Sequence, residues 1–160
     1  MALDLEAIEL IKQLKHRYFR AIDTADMPLV EDCFVDDASI HYIGGSYDIA
    51  MEGRDKILEF IAASFHADAA AMHTGHHPEI TVEGDRATGK WYLNDVFYDL
   101  NYKVCTRGVA IYEDRYVKTG AGWKIQHSGY ERVWEVVEKF GDEVKFTKRL
   151  LAETGRKKTG

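Results

Sequence analysis

From residue 72 onward the chain divides into long stretches, about 73–83, 87–100, 104–118 and 122–135, parted by Gly84-Asp85 and Gly120-Ala121-Gly122. Apolar and polar residues that alternate with a period of two, between glycine-bearing turns, are the pattern of an antiparallel β-meander. Strands of this length coil. The apolar side of such a sheet has to be covered by something else in the chain.

The first third supplies the cover. Apolar residues at Ile8, Ile11, Leu14, Tyr18 and Ile22 keep helical spacing, with Lys12, Gln13, Lys15 and Arg17 read as lying off that stripe. Asp26 before Met27-Pro28 reads as an N-cap with proline in the first turn of a short helix through Phe34, which Asp36-Asp37 ends. A strand over Ala38 to Ile43, a break at Gly44-Gly45 and a short extended piece from Tyr47 to Met51 follow. Gly53-Arg54-Asp55 then leads into a second long helix with Ile57, Phe60, Ile61, Ser64 and Phe65 on one side. The expected fold is therefore α+β, a curved antiparallel sheet whose N-terminal helices close a cone around a central pocket suited to a small apolar ligand. We expect one domain over residues 1–138 and a C-terminal tail over 139–160, weakly patterned and frayed at its end.

The formal net charge of −6 leaves no basic footprint for nucleic acid or an anionic membrane. Cys33 and Cys105 have no CxxC spacing, so free buried thiols are expected. The N-terminus has acids where a signal peptide needs bases, and no apolar run approaches the ~20 residues of a membrane span. Both point to a soluble, cytoplasmic protein.

Chemistry concentrates around Met72-His73-Thr74-Gly75-His76-His77-Pro78 and the following Trp91-Tyr92-Leu93-Asn94-Asp95. Strand alternation lets His73 and His77 share a face while His76 turns away, and no strong zinc motif is present, so the expectation is no metal. His73 is either a structural histidine or a general base whose tautomer an acid fixes. Asp23 and Asp95 are the candidate acids; the alternatives for them are a helix-terminal turn residue and an outward strand residue. Parity decides the second case, because Asp95 shares its face with Trp91, Leu93 and Phe97 and so belongs to the interior. A carboxylate there needs either a raised pKa or a hydrogen-bonding partner.

Parity also demands irregularities. Ile80 and Val82 alternate against His73, so a bulge is expected at Gly75 or Pro78. Tyr130 and Arg132 alternate against Trp123 and Ile125, so a register shift is expected at Gly129. Arg132 is either a surface partner of Glu131 or Glu135, or a fixed charge beside Asp95 or a substrate oxygen.

The run Lys15-His16-Arg17-Tyr18-Phe19-Arg20-Ala21-Ile22-Asp23, with Met72-His73, Gly75-His76-His77-Pro78-Glu79-Ile80, Gly89 to Asp95 and Gly129-Tyr130-Glu131-Arg132, resembles the bile acid 7α-dehydratases of the SnoaL-like, NTF2-like superfamily. The resemblance covers most of residues 5–136. It implies the same α+β cone, a homo-oligomer with a trimer favoured over a dimer, and a lyase that needs no cofactor and no metal. It also implies a site of Tyr18, Asp23, His73, Asp95 and Arg132, acting on a small apolar hydroxylated substrate such as a steroid-like ketone. Scytalone dehydratases and a dehydrochlorinase, related cone enzymes, are similar in using a histidine–aspartate dyad for proton abstraction. An isomerase, a polyketide cyclase and a ligand-binding protein without chemistry are the alternatives on the same fold. Ile43 to Glu52 and Leu100 to Val104 depart from the resemblance, which leaves the substrate open.

Overall fold

The structure, a computed structural model, describes residues 3–157. Helix α1 (Leu5–Thr24) opens where the Asp4 carboxylate accepts the Ala7 N–H at 3.0 Å, and it ends where Ala25 turns left-handed at φ 49°. Capping at one end and the αL residue at the other satisfy backbone groups that the helix itself leaves free. Asp26 then caps α2 (Met27–Cys33) by accepting the Leu29 N–H at 3.2 Å, as its Asp-Met-Pro pattern predicts. Strand β1 (Phe34–Ile43) starts at once, earlier than the expected Ala38. After β2 (Asp48–Glu52), α3 (Arg54–Ser64) buries Ile57 and Ile61.

Four long strands follow: β3 (Ala69–Glu83), β4 (Arg86–Asp99), β5 (Val104–Thr119) and β6 (Gly122–Lys139). The sheet order is β2-β1-β6-β5-β4-β3, antiparallel throughout except that β1 runs parallel to β6. The expected α+β cone is present, with a mixed rather than wholly antiparallel sheet. Among the described residues no helix is long and apolar enough to cross a membrane. Cys33 and Cys105 are free and buried, and burial pushes the Cys33 thiol up to about 11.

Register sorts the concave face into rows. One row is Gly89, Asp114, Ser128 and Ile40, and the next is Trp91, Tyr112, Tyr130 and Tyr42. Beyond them come Gly75, Leu93, Ala110 and Arg132, then His73, Asp95, Gly108 and Glu135. These rows depend on bulges. Between β3 and β4 the register shifts between His76 and Glu79, so His77 and Pro78 together face one residue of β4, and Ile80 and Val82 return to the Trp91 side. The irregularity expected at Gly75 or Pro78 is at Pro78, with His77 at φ 50°. On β6 the shift falls not at Gly129 but earlier, at Gln126, because Tyr116 pairs Ile125 while Arg115 pairs His127. Gly129 stays in regular register on the outer side, opposite His41 and Glu113. A second β6 bulge at Val133 separates Arg132 from Trp134.

Two expectations are corrected. Lys15, read as lying off the apolar stripe of α1, is fully buried, because its ammonium reaches the Asp114 carboxylate at 2.7 Å on the sheet floor. The ammonium also lies 3.5 Å from the Tyr112 ring centroid, a cation–π contact. Asp114 in turn accepts the Tyr116 hydroxyl at 2.6 Å, and that hydroxyl accepts the Trp91 indole N–H at 3.0 Å. The end of the tail, read as frayed from Gly155, is docked as far as it is described. Arg149 donates to the Ala67 carbonyl at 2.7 Å, the Arg156 carbonyl accepts the Ala67 N–H at 2.9 Å, and Leu151 of α4 (Leu151–Thr154) is buried. The end of the expected frayed segment, Lys158 to Gly160, lies outside the described residues.

Removing one partner of a dry ion pair leaves the other charge buried and unpaired, which costs about 3–5 kcal/mol. Urea denaturation of Lys15→Met should show a loss of that size. The double variant Lys15→Met/Asp114→Leu should recover most of it, since replacing a whole buried pair with apolar groups is often neutral.

Candidate active site

Under the helices lies a cavity of about 310 Å³, lined on the helical side by Tyr18, Ile22, Phe60, Ile61 and Phe65 and on the sheet side by His73, Asp95, Tyr112, Tyr130, Arg132 and Glu135. Its size is at the lower end of the ~300–1,000 Å³ range of ligand pockets. A larger depression of about 680 Å³ lies on the outer face, among His41, His77, Lys90, Glu113 and His127. His73 faces the inner cavity, so the chemistry is to be sought there.

Asp23 projects from the last turn of α1 and holds His73 at two points. One carboxylate oxygen accepts the His73 backbone N–H at 2.9 Å, and the other lies 2.6 Å from His73 Nδ1. An ionised carboxylate only accepts, so Nδ1 carries a proton and donates it, and in the neutral imidazole Nε2 then has the lone pair. Phe19 stacks on the imidazole with ring centroids 6.1 Å apart, and Phe65 meets it edge-on at 5.5 Å. Gly75, on the same face as His73, makes room for this: a Cβ there would lie 2.5 Å from the Phe19 ring.

Asp95 is directly across the β3–β4 ladder from His73 and is only 3 % exposed. Its partner is Arg132, whose NH1 and NH2 donate to the two carboxylate oxygens, the latter at 2.9 Å. The guanidinium reaches it over Gly108, where a Cβ would lie 2.5 Å from the Trp134 carbonyl and 3.4 Å from Arg132 NH1. The Nε–H of Arg132 donates to the Tyr47 hydroxyl at 3.1 Å and lies 3.0 Å from a Glu135 oxygen. Burial opposes the Arg132 charge, but Asp95 and Tyr47 together outweigh burial and raise its pKa above the ordinary value. Arg132 thus stands as a fixed charge beside Asp95, and its contact with Glu135 is not the surface pair of the alternative reading, because both side chains are largely buried.

Tyr18 is buried with its hydroxyl 3.0 Å from that of Tyr42, and Tyr42 stacks on Tyr130 at 4.5 Å. Burial raises the Tyr18 pKa well above that of a free phenol, with the Tyr42 hydrogen bond opposing only in part. At neutral pH Tyr18 is therefore a donor and not a base. All five residues anticipated from the sequence line or abut this one cavity. His76 and His77 do not converge with His73. His76 pairs Tyr92 on the opposite face, and His77 meets the Tyr92 ring edge-on at 6.1 Å.

Glu135, read from the sequence as a surface partner of Arg132, lines the cavity instead, together with Tyr42 and Tyr47. The Tyr47 hydroxyl bonds that of Tyr130 at 2.8 Å and lies 3.4 Å from Glu135. Glu135 faces inward only because the bulge at Val133 puts three positions, not two, between successive inward residues of β6.

A curved sheet closed by N-terminal helices is the NTF2-like, cystatin-like fold. The family model for the SnoaL-like domain matches residues 3–129, and the chain belongs to that family. Among solved structures it is similar to a protein of Novosphingobium aromaticivorans provisionally assigned as an aromatic ring hydroxylase, with 22 % identity, TM-score 0.76, and 87 % of this chain and 96 % of that one covered. A second protein of that organism, provisionally assigned as a scytalone dehydratase, matches at 19 % identity and TM-score 0.71, over 83 % and 88 % of the two chains. A type 2 hexachlorocyclohexane dehydrochlorinase matches at 15 % identity and TM-score 0.73, over 90 % and 95 %. At these identities the likeness establishes the fold.

Gly108→Ala should clash with the Trp134 carbonyl and the Glu135 Cα and force β6 away from β5 at that point. An overpacked close contact of this kind costs about 1–3 kcal/mol. A loss in that range in urea denaturation, with the circular dichroism of the sheet unchanged, is the expected result.

Proposed function

We propose that the protein is a cofactor-independent lyase that removes water from a hydroxylated steroid-like or other alicyclic ketone, in the manner of the bile acid 7α-dehydratases. The observation that carries this reading is the two-point hold of Asp23 on His73, which leaves Nε2 as a base facing an apolar cavity. Elimination of water needs a proton taken from carbon and a proton given to the departing hydroxyl. His73 Nε2 takes the first. The resulting imidazolium, its charge stabilised by Asp23, returns that proton to the hydroxyl, which leaves as water, so the histidine ends as it began.

Conjugation to a ketone acidifies the carbon-bound proton, and the enolate oxygen needs a donor. Tyr18, kept protonated by burial and able to receive a hydrogen bond from Tyr42, serves as that donor. Asp95 and Arg132 hold the opposite wall and position the ligand. Hydride or radical steps are not required by this chemistry, and the reading assigns no cofactor.

The test is incubation with 3-oxo-4-ene steroids that carry a 7-hydroxyl. The expected result is the red-shifted absorbance of a dienone, with product mass lower by one water, and His73→Ala should remove at least ~10²-fold of the rate while binding persists. Activity that survives His73→Ala on every accepted substrate would overturn the mechanism. A product of unchanged mass would redirect the reading to an isomerase or cyclase.

The proposal extends to assembly. Met72, Tyr92, Trp134 and Val136 place exposed apolar surface on the outer face of the sheet, which suits contact with further copies of the chain. Light scattering on the eluted protein should give the mass of three chains, and a single-chain mass would remove this part.

A further inference from the structure

The charged groups that line the cavity are unequal in number. Among its described lining residues stand one guanidinium, Arg132, and two carboxylates, Asp95 and Glu135, with His73 the remaining ionisable base. Asp23, which holds His73, adds a third carboxylate immediately behind the wall. Lys15 adds no free positive charge, because Asp114 neutralises it at 2.7 Å beneath Tyr112.

Arg132 is not available as an anion receptor. Both terminal nitrogens are committed to Asp95, and its Nε–H is shared between Tyr47 and Glu135. The N–H bonds that remain on NH1 and NH2 suit a neutral oxygen acceptor, while the guanidinium charge is already overcompensated. In a cavity of low dielectric the excess of negative charge acts over several ångströms.

We infer that this cavity accepts uncharged ligands and rejects anionic ones, and that Glu135 is the residue that sets the preference. The inference rests on the reading of this cavity as the ligand site. It narrows the substrate to a neutral ketone or alcohol within the cavity; a carboxylate is tolerated only on a substituent long enough to reach solvent. Glu135 is inward only through the Val133 bulge, and it meets Arg132 at Nε while Asp95 already takes both terminal nitrogens, so its charge is the one in excess.

The test uses two fluorescent probes with the same ring system, neutral N-phenyl-1-naphthylamine and anionic 8-anilino-1-naphthalenesulfonate. Signal from the cavity is identified as the part lost in Ser64→Phe, a variant of a lining residue checked by circular dichroism. Should that variant not fold, the part displaced by non-fluorescent 2-naphthol serves instead. The wild-type protein should bind the neutral probe at least about tenfold more tightly, equivalent to about 1.4 kcal/mol. Glu135→Gln should narrow that ratio about tenfold, through tighter sulfonate binding, since it leaves the lining with one carboxylate opposite Arg132. Equal or tighter sulfonate binding in the wild-type cavity, a ratio unmoved by Glu135→Gln, or failure of the neutral probe to bind would each overturn the inference. Titrations repeated in His73→Ala separate this from the lyase reading. Selectivity without any turnover would leave the charge inference standing, and turnover with reversed selectivity would leave the lyase standing.

Discussion

Helix α1 carries Tyr18, Phe19 and Asp23, and each of them is useful only if the helix sits at one rotation and one height above the sheet. Apolar packing is non-directional and tolerates sliding. The buried Lys15–Asp114 pair does not, because a 2.7 Å contact between fully buried charges is lost with a shift of an ångström or two. At the other end of the helix Asp23 grips the backbone and ring of His73. Eight residues separate these anchors, about 12 Å of helix, so between them they fix the rotation that points Tyr18 at Tyr42 and lays Phe19 on the imidazole. The pair also orients the floor, since Asp114 collects Tyr116 and, through it, Trp91. A charge pair of this kind is weak evidence for net stability. Its value here lies in specifying one arrangement out of several similar apolar ones.

The sheet solves a second positioning problem with bulges. On a regular strand residues face inward at every second position, and β6 would then present either the Trp123, Ile125 set or the Tyr130, Arg132 set, not both. The extra residue at Gln126 lets both sets face the core, and the extra residue at Val133 lets Arg132 and Glu135 share a wall. On β3 the extra residue at Pro78 reconciles His73 with Ile80 and Val82. Proline is suited to that place, since a bulge spares it a ladder hydrogen bond it cannot donate. Each bulge also adds local twist, which curls the sheet around the cavity.

Those two devices explain what could be read from the sequence and what could not. The cone was legible because long alternating strands after amphipathic helices leave few ways to cover an apolar face. Asp95 was legible from parity alone, as its β4 neighbours Trp91 and Leu93 are regular and buried. The need for irregularity was legible too, but its place was legible only where proline marked it. At Gln126 and Val133 the side chains carry no such mark, and Gly129, where the shift was expected, instead meets a close approach, since a Cβ there would lie 3.1 Å from the His41 carbonyl. Lys15 was misplaced because helical spacing sorts residues by polarity, and a lysine whose partner lies 99 positions away in sequence, at Asp114, cannot be recognised as buried. Glu135 was read as a surface residue for the same kind of reason, since it reaches the site only through a bulge.

The charges of the cavity also bear on the order of events in the proposed elimination. When His73 takes a proton from carbon, a positive charge appears next to Asp23 and one strand away from Asp95. The excess of carboxylates around Arg132 makes that wall favourable to the imidazolium. The same excess is unfavourable to the enolate that forms at the same moment, so electrostatic attraction from Arg132 cannot be what stabilises it. On the lyase reading that task would fall to neutral donors, and Tyr18 with its hydroxyl on that of Tyr42 is such a pair. In the proposed mechanism, stabilisation by hydrogen bonds rather than by a free cation keeps the enolate electron-rich enough to expel the hydroxyl as water when His73 protonates it. A cation at that position would hold the intermediate in a deeper well and slow the second half of the reaction, so on the lyase reading the masking of Arg132 by two carboxylates would favour elimination.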